Sequence, residues 1–155
     1  MSSDTTELTI TRDGAEVAAV ITLPGRTPEA ALSAFTEPAL LRKWWPGELS
    51  ADLQPGGVYR VHFAPLGQTM NGVVEAYQPG ERLAFTWGWA HELDLAGRFL
   101  VTVTVSAHLG SGSDGTVLTL RHGPRPGAAV TPREGEIEGH LEGWEYFLPK
   151  LVDTV

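Results

Sequence analysis

Apolar and polar residues alternate along most of the chain, as they do in strands that bury one face of an antiparallel sheet. The alternation is clearest in residues 99–106, where the odd-numbered positions are Phe or Val and most even-numbered positions are Thr or Ser. From residue 58 onwards, glycine- and proline-containing turns separate such segments at short intervals, with no helical pattern between them. The predicted strands are residues 8–12, 16–23, 58–63, 69–77, 82–89, 98–107 and 116–122.

Two short helices are predicted between the first strands and the rest of the sheet. Thr27-Pro28-Glu29 supplies an N-cap, a first-turn proline and an early acidic residue, and predicts a helix through Phe35. A second helix begins at Pro38 and ends near Trp45, because Pro46 disfavours helical backbone in the residue before it.

The third predicted helix is the C-terminal one, which starts at the capping box of residues 131–134. One apolar stripe then follows at steps of four and three residues, formed by Ile137, Leu141, Trp144, Leu148 and Leu151. Pro149 predicts a kink or an early end of this helix. Gly139 and Gly143 predict a close approach of the helix to the sheet.

The amino-acid composition and charge of the chain exclude several classes of function. The chain has 155 residues, no cysteine, and 11 Lys and Arg against 19 Asp and Glu, for a net charge of −8. This balance argues against a nucleic-acid partner, and the absence of cysteine excludes disulfides and thiolate chemistry. The first seven residues do not resemble a signal peptide, and no apolar run is long enough to cross a membrane, so we expect a cytoplasmic protein without membrane insertion.

Six segments together resemble one known family of folds. They are Phe35-Thr36-Glu37-Pro38 leading to Trp44-Trp45-Pro46, Gly56-Gly57-Val58-Tyr59, Gly72-Val73-Val74-Glu75, residues 79–87, residues 115–120, and residues 139–144. Their order resembles the START-like (SRPBCC) helix-grip superfamily, and within it the branch named after activators of the 90-kDa heat-shock chaperone's ATPase. The resemblance implies an α+β fold in which a curved antiparallel sheet wraps around a long C-terminal helix. It implies a single domain over residues 1–155, with its core at about 8–152.

The resemblance also implies an apolar cavity between the sheet and the C-terminal helix. Placing the sequence on that plan gives a set of expected ligand-binding residues: Trp45, Tyr59, Val61, Phe63, Phe85, Trp87, Phe99, Val101, His122, Trp144, Phe147 and Leu148. Any one of these aromatic residues could instead simply fill the core. The segment from Trp87 to Leu93 is a candidate gate for the cavity or a patch for a partner.

Few side chains in the sequence could perform catalysis. His122 follows two leucines on one strand face and could offer a proton or a polar anchor, while the alternative is a satisfied histidine at a strand end. Glu75 could act as a base if it faced inward, but we expect it to face outward. His140 lies off the apolar stripe and is expected to be exposed, and His62 to point outward. No histidine or carboxylate spacing suggests a metal site, and no cofactor is implied.

The leading functional hypothesis is therefore the binding of a hydrophobic small molecule, such as a lipid, a polyketide or an aromatic metabolite, rather than catalysis. The alternatives are a cyclase or aromatase enzyme, a chaperone co-factor or protein-interaction module, and a self-resistance protein for a reactive natural product. A homodimer is a further hypothesis.

Overall fold

The computed structural model describes residues 6–90, 98–109, 114–127 and 132–154. The strands are β1 (Glu7–Asp13), β2 (Glu16–Pro24), β3 (Glu48–Ala51), β4 (Val58–Phe63), β5 (Gln68–Gln78), β6 (Arg82–Trp87), β7 (Phe99–Leu109) and β8 (Asp114–Pro124). The helices are α1 (Pro28–Thr36), α2 (Pro38–Trp44) and α3 (Glu136–Thr154), and a 3-10 turn spans Ala64–Leu66.

The strands described form one eight-stranded antiparallel sheet in the order β1-β2-β8-β7-β6-β5-β4-β3. The chain enters at one edge, crosses to the far edge through α1 and α2, and returns strand by strand to β8, which pairs with β2. The curved sheet, the two short helices after the first strands and the C-terminal helix confirm the predicted helix-grip α+β architecture.

The alternation in β7 buries the side predicted from the sequence. Phe99, Val101 and Val103 are at most 2% exposed, and they pack in the same core as Leu118 and Leu120 of β8. The apolar stripe of α3 covers this core, with Ile137, Trp144, Leu148 and Leu151 all buried.

Helix α3 differs from the prediction at both ends. Its first residue is Glu136, whose side chain accepts a hydrogen bond from the Arg133 backbone N–H at 2.9 Å, and Thr131 of the predicted capping box lies outside the described residues. Of the two alternatives predicted at Pro149, a kink or an early end, the early end does not occur, because the helix continues to Thr154. Pro149 lies on the exposed side, and the buried Leu148 and Leu151 on either side of it hold the last turns against the core.

Strand β3 is absent from the sequence prediction. It has four residues, of which only Leu49 is buried, and its strand conformation is fixed by pairing with β4 from Glu48↔His62 to Ala51↔Tyr59. A segment this short, with one buried side chain, carries no alternation that could be recognised in isolation.

Substituting Gly72 with alanine should destabilise the sheet. A Cβ at this position would lie 2.2 Å from the Thr86 carbonyl oxygen on the neighbouring strand, so backbone must move to admit it. We expect the free energy of unfolding to fall by about 3 kcal/mol in urea titrations followed by circular dichroism. Gly139→Ala is the matched control, since its added Cβ meets no atom of the described residues within 4 Å beyond the helix's own backbone; it should raise stability by up to about 1 kcal/mol. Equal stability of the two variants would contradict the close approach at Gly72.

Candidate functional site

A cavity of about 620 Å³ lies beneath α3, between the helix and the sheet. Its walls are mainly aromatic, and its mouth carries charged residues. The lining residues are Trp45, Phe63, Leu66, Trp87, Gly88, Trp89, Arg98, Phe99, His122, Arg133, Glu134, Gly135, Glu136, Gly139, His140, Gly143, Trp144 and Phe147.

Of the two tryptophans at the end of α2, Trp44 lies in the core and Trp45 lies at the cavity. Trp44 is 1% exposed and its indole N–H donates to the Ala34 carbonyl at 3.0 Å, which fixes α2 against α1. Trp45 has extended rather than helical backbone and lines the cavity, with its ring stacked on Trp44 at a centroid distance of 5.2 Å. The ring of Trp45 also lies nearly parallel to that of Trp87, 5.9 Å away. Two adjacent tryptophans therefore connect the helical layer with the wall of the cavity.

The structure brings together part of the residue set expected from the sequence. Around the cavity lie Trp45, Phe63, Trp87, Phe99, His122, Trp144 and Phe147. The other members of the set do not line it: Tyr59, Val61, Phe85, Val101 and Leu148 are fully buried in the core. Tyr59 stacks on Phe85 at 4.0 Å and its hydroxyl donates to the Phe35 carbonyl at 2.5 Å. Burial raises the pKa of Tyr59, so its hydroxyl remains a structural donor.

His122 is completely buried and has a defined tautomer. The indole N–H of Trp144, which can only donate, lies 2.9 Å from His122 Nδ1. Nδ1 must therefore accept, and in the neutral ring the proton is on Nε2. Burial lowers the pKa of His122 far below its usual range, and neighbouring His140 lowers it further. Among the described residues, Nε2 has no hydrogen-bond partner.

His140 also lines the cavity, which corrects the expectation that it is exposed. Its ring stacks on His122 with a centroid distance of 3.9 Å and an interplanar angle of 17°. Burial is the main reason that its pKa falls to about 4, and Glu136 opposes that fall. Its Nδ1 is buried and has no hydrogen-bond partner within the described part of the chain. The cavity wall thus contains two stacked imidazoles, both neutral at pH 7.

The carboxylate of Glu75, the second candidate base, does not lie at the cavity. It pairs with Arg125 at 2.6 Å, its side chain is 30% exposed, and it is not among the residues that line the cavity. The register of β5 shifts between Val74 and Ala76, so the simple alternation assumed for this strand is interrupted at Glu75. His62 is exposed on β4 and contacts Thr69.

An ion pair stands at the charged mouth of the cavity. Arg98 lies 3.2 Å from Glu136, and their side chains are only 18% and 12% exposed. Burial tends to raise the pKa of Glu136, but the hydrogen bond from the Arg133 backbone and the guanidinium of Arg98 outweigh it, and the pKa is lowered. Arg133 lies 3.7 Å from the same carboxylate. The ionised Glu136 thus lies close to both arginines and offsets part of their positive charge.

Comparison with known proteins places this geometry in a family. The model of the family described as "Activator of Hsp90 ATPase homolog 1-like protein" matches residues 26–155. The chain belongs to this family. No curated protein is significantly similar to it.

Several solved structures have a similar fold. Protein MLL2253 from Mesorhizobium loti is 26% identical with a TM-score of 0.65, over 88% of this chain and 95% of that one. DynU16, a protein of the dynemicin biosynthetic locus, is 24% identical with a TM-score of 0.65; the match covers 92% of this chain but only 47% of DynU16, about half its length. CalU16 from Micromonospora echinospora is 22% identical with a TM-score of 0.61, over 97% and 82% of the two chains. The resemblances to DynU16 and CalU16 show only that the fold is shared.

In this member of the Hsp90-activator-homologue family, glycines make room for the cavity. Gly139 and Gly143 are one turn apart on α3 and both line the cavity. Apart from the helix's own backbone, no atom of the described residues lies within 4 Å of a Cβ built at either position, so they do not serve the close helix–sheet approach expected from the sequence. Glycine inside a helix costs roughly 1 kcal/mol relative to alanine. The four-residue glycine spacing was the available sequence signal for this open space.

The described residues contain neither a cluster of metal ligands nor a membrane-spanning helix. No group of three or more His, Asp or Glu side chains in them could hold a metal ion. None of the helices seen there combines the length and the apolar character that a membrane span requires. The last part of the candidate gate or partner patch, residues 91–93, falls outside the described residues.

Proposed function

We propose that this member of the Hsp90-activator-homologue family binds a hydrophobic small molecule, and most specifically an aromatic metabolite, in the cavity under α3. The observation that carries the proposal is an aromatic-walled space of about 620 Å³, within the range of roughly 300–1,000 Å³ of small-molecule sites. Trp45, Trp87, Trp89 and Trp144 contribute rings at its wall, and aromatic rings pack well against other flat rings.

The helix glycines support the same proposal. A helix that only covered a core would gain stability from alanine at Gly139 and Gly143, since the space beside them is open. Glycine at both positions leaves this part of the cavity roof without side chains, which suits a cavity that holds a molecule.

The enzymatic alternative has weaker support. A base needs a lone pair that can take a proton, and the Nδ1 lone pair of His122 already accepts the Trp144 hydrogen bond. Glu75 is paired with Arg125 and does not line the cavity. The cyclase, chaperone co-factor and self-resistance hypotheses, the homodimer and the cytoplasmic location remain predictions from the sequence.

Filling the cavity from the helix should abolish binding. In Gly139→Leu the new side chain would extend into the space beneath α3, and we expect binding of 1-aminoanthracene, a neutral environment-sensitive fluorophore, to weaken at least about tenfold. Fluorescence titration measures this, and urea unfolding verifies that the variant is folded.

Gly139→Ala is the matched control, because a single methyl group leaves most of the cavity open; its affinity should stay within about threefold of wild type. Undiminished binding to a folded Gly139→Leu would place the fluorophore elsewhere, and the proposal would then fail. Native mass spectrometry of gently purified protein, followed by identification of released compounds, would name the natural ligand class.

A further inference from the structure

The buried N–H of His122 is a polar group that the fold itself leaves unsatisfied. Trp144 fixes the tautomer by donating to Nδ1, so Nε2 carries the proton. No described residue accepts from that N–H, although the side chain is 0% exposed. A buried donor without a partner is costly, and in native structures such a group calls for an explanation.

The surroundings of His122 are rings rather than acceptors. Trp87 lies 4.8 Å from its ring centroid, Phe99 meets it edge-on at 6.0 Å, and His140 stacks on its face at 3.9 Å. None of these can satisfy the N–H as a carbonyl or carboxylate oxygen would. His122 borders the cavity, so a molecule in the cavity is the natural source of the missing acceptor.

The charged groups at the mouth restrict the ligand further. Arg98 and Arg133 both lie within 4 Å of the Glu136 carboxylate, and Glu134 is the other acid of the lining. Within the described lining, two arginines and two glutamates balance, so these residues do not select an ionic ligand. A neutral acceptor fits best.

From these contacts we infer that the ligand is a flat, neutral aromatic compound bearing a carbonyl oxygen, which accepts a hydrogen bond from His122 Nε2–H. The inference rests on the proposed function and specifies the ligand of the same cavity. The rings of Trp45 and Trp87 provide the flat walls, and His122 provides the one tautomer-fixed donor.

Access to Nε2 requires a small side-chain movement, because water does not reach this atom. The rings of Trp87, Phe99 and His140 pack around His122, so one or more of them must shift. Nδ1 of His140 has no hydrogen-bond partner within the described residues. Side-chain rearrangements of this size are common on binding.

The test compares fluorene with 9-fluorenone, which share one ring skeleton and differ by a single carbonyl oxygen. Quenching of tryptophan fluorescence gives both dissociation constants, and the ratio of the fluorene Kd to the fluorenone Kd measures selectivity for the oxygen. In His122→Phe, which keeps a flat ring but removes the donor, this ratio should fall about five- to tenfold from wild type. Phe147→Leu is the matched control: both affinities should weaken while the ratio stays the same.

An independent measurement needs only the wild-type protein. In ¹H–¹⁵N spectra of the imidazoles, the His122 Nε2–H resonance should shift downfield with fluorenone and not with fluorene. Fluorene binding with an unchanged ratio in His122→Phe and no such shift would overturn the inference and leave the proposed function standing. Failure of both compounds to bind wild type would overturn the two together.

Discussion

Replacing Trp44 by alanine should lower the free energy of unfolding by about 4 kcal/mol, since removal of a fully buried tryptophan leaves a large void. Its ring contacts Phe35 edge-on at 5.0 Å and Trp45 face-to-face at 5.2 Å, so α1, α2 and the cavity wall all lose a contact. Its N–H also satisfies the buried Ala34 carbonyl. Urea titration monitored by circular dichroism measures the change.

Two variants separate the causes of this loss. Trp44→Phe keeps most of the ring but leaves the Ala34 carbonyl without its donor, so it should cost about half as much. Tyr146→Ala removes an aromatic ring that is 63% exposed on α3 and should change stability by less than about 0.5 kcal/mol. If Trp44→Ala were as mild as Tyr146→Ala, Trp44 would not join the helices to the core as described.

Most of the fold is predictable because its main elements carry long, regular patterns. Strand β7 alternates over its buried part, and α3 carries its stripe from Ile137 to Leu151, so both are recognisable without tertiary information. Strand β3 carries no such pattern, since its conformation comes from hydrogen bonds to β4. The end of α3 is set by the burial of Leu151, which outweighs the local preference of Pro149.

The site is less predictable because its polar groups come from distant parts of the chain. Trp87, Phe99 and Trp144 could be placed near a cavity from the strand and helix patterns and the family plan. The stacking of His140 on His122 depends on how α3 is rotated about its axis over β8. The apolar stripe alone determines that rotation only to within about one residue. The glycines of α3 predict close packing against the sheet and instead border open space, because a sequence does not show whether the space beside a glycine is filled.

The stacked histidines should make the protein sensitive to acid. The pKa of His140 is lowered by burial to about 4, and burial lowers that of His122 as well. Since the unfolded state takes up protons at an imidazole pKa of about 6.5 and the folded state does not, their contribution to stability is complete above that pH and is lost as the pH falls below it. His140 alone should cost about 3 kcal/mol between pH 7 and pH 4, with His122 acting in the same direction. Urea unfolding at a series of pH values measures the slope.

Protonation of His122 meets a geometric obstacle besides burial, because an Nδ1–H would face the Trp144 indole N–H that now donates to it. His140→Gln removes one of the two titrating rings, so the loss of stability between pH 6.5 and pH 4.5 should become smaller by about 2–3 kcal/mol. Gly139→Ala, one residue away and without a titratable group, should shift the whole curve and leave its slope in this range unchanged. A slope that His140→Gln does not reduce would mean that this imidazole takes up its proton as readily in the folded cavity as in water, which its burial against His122 and Phe99 argues against.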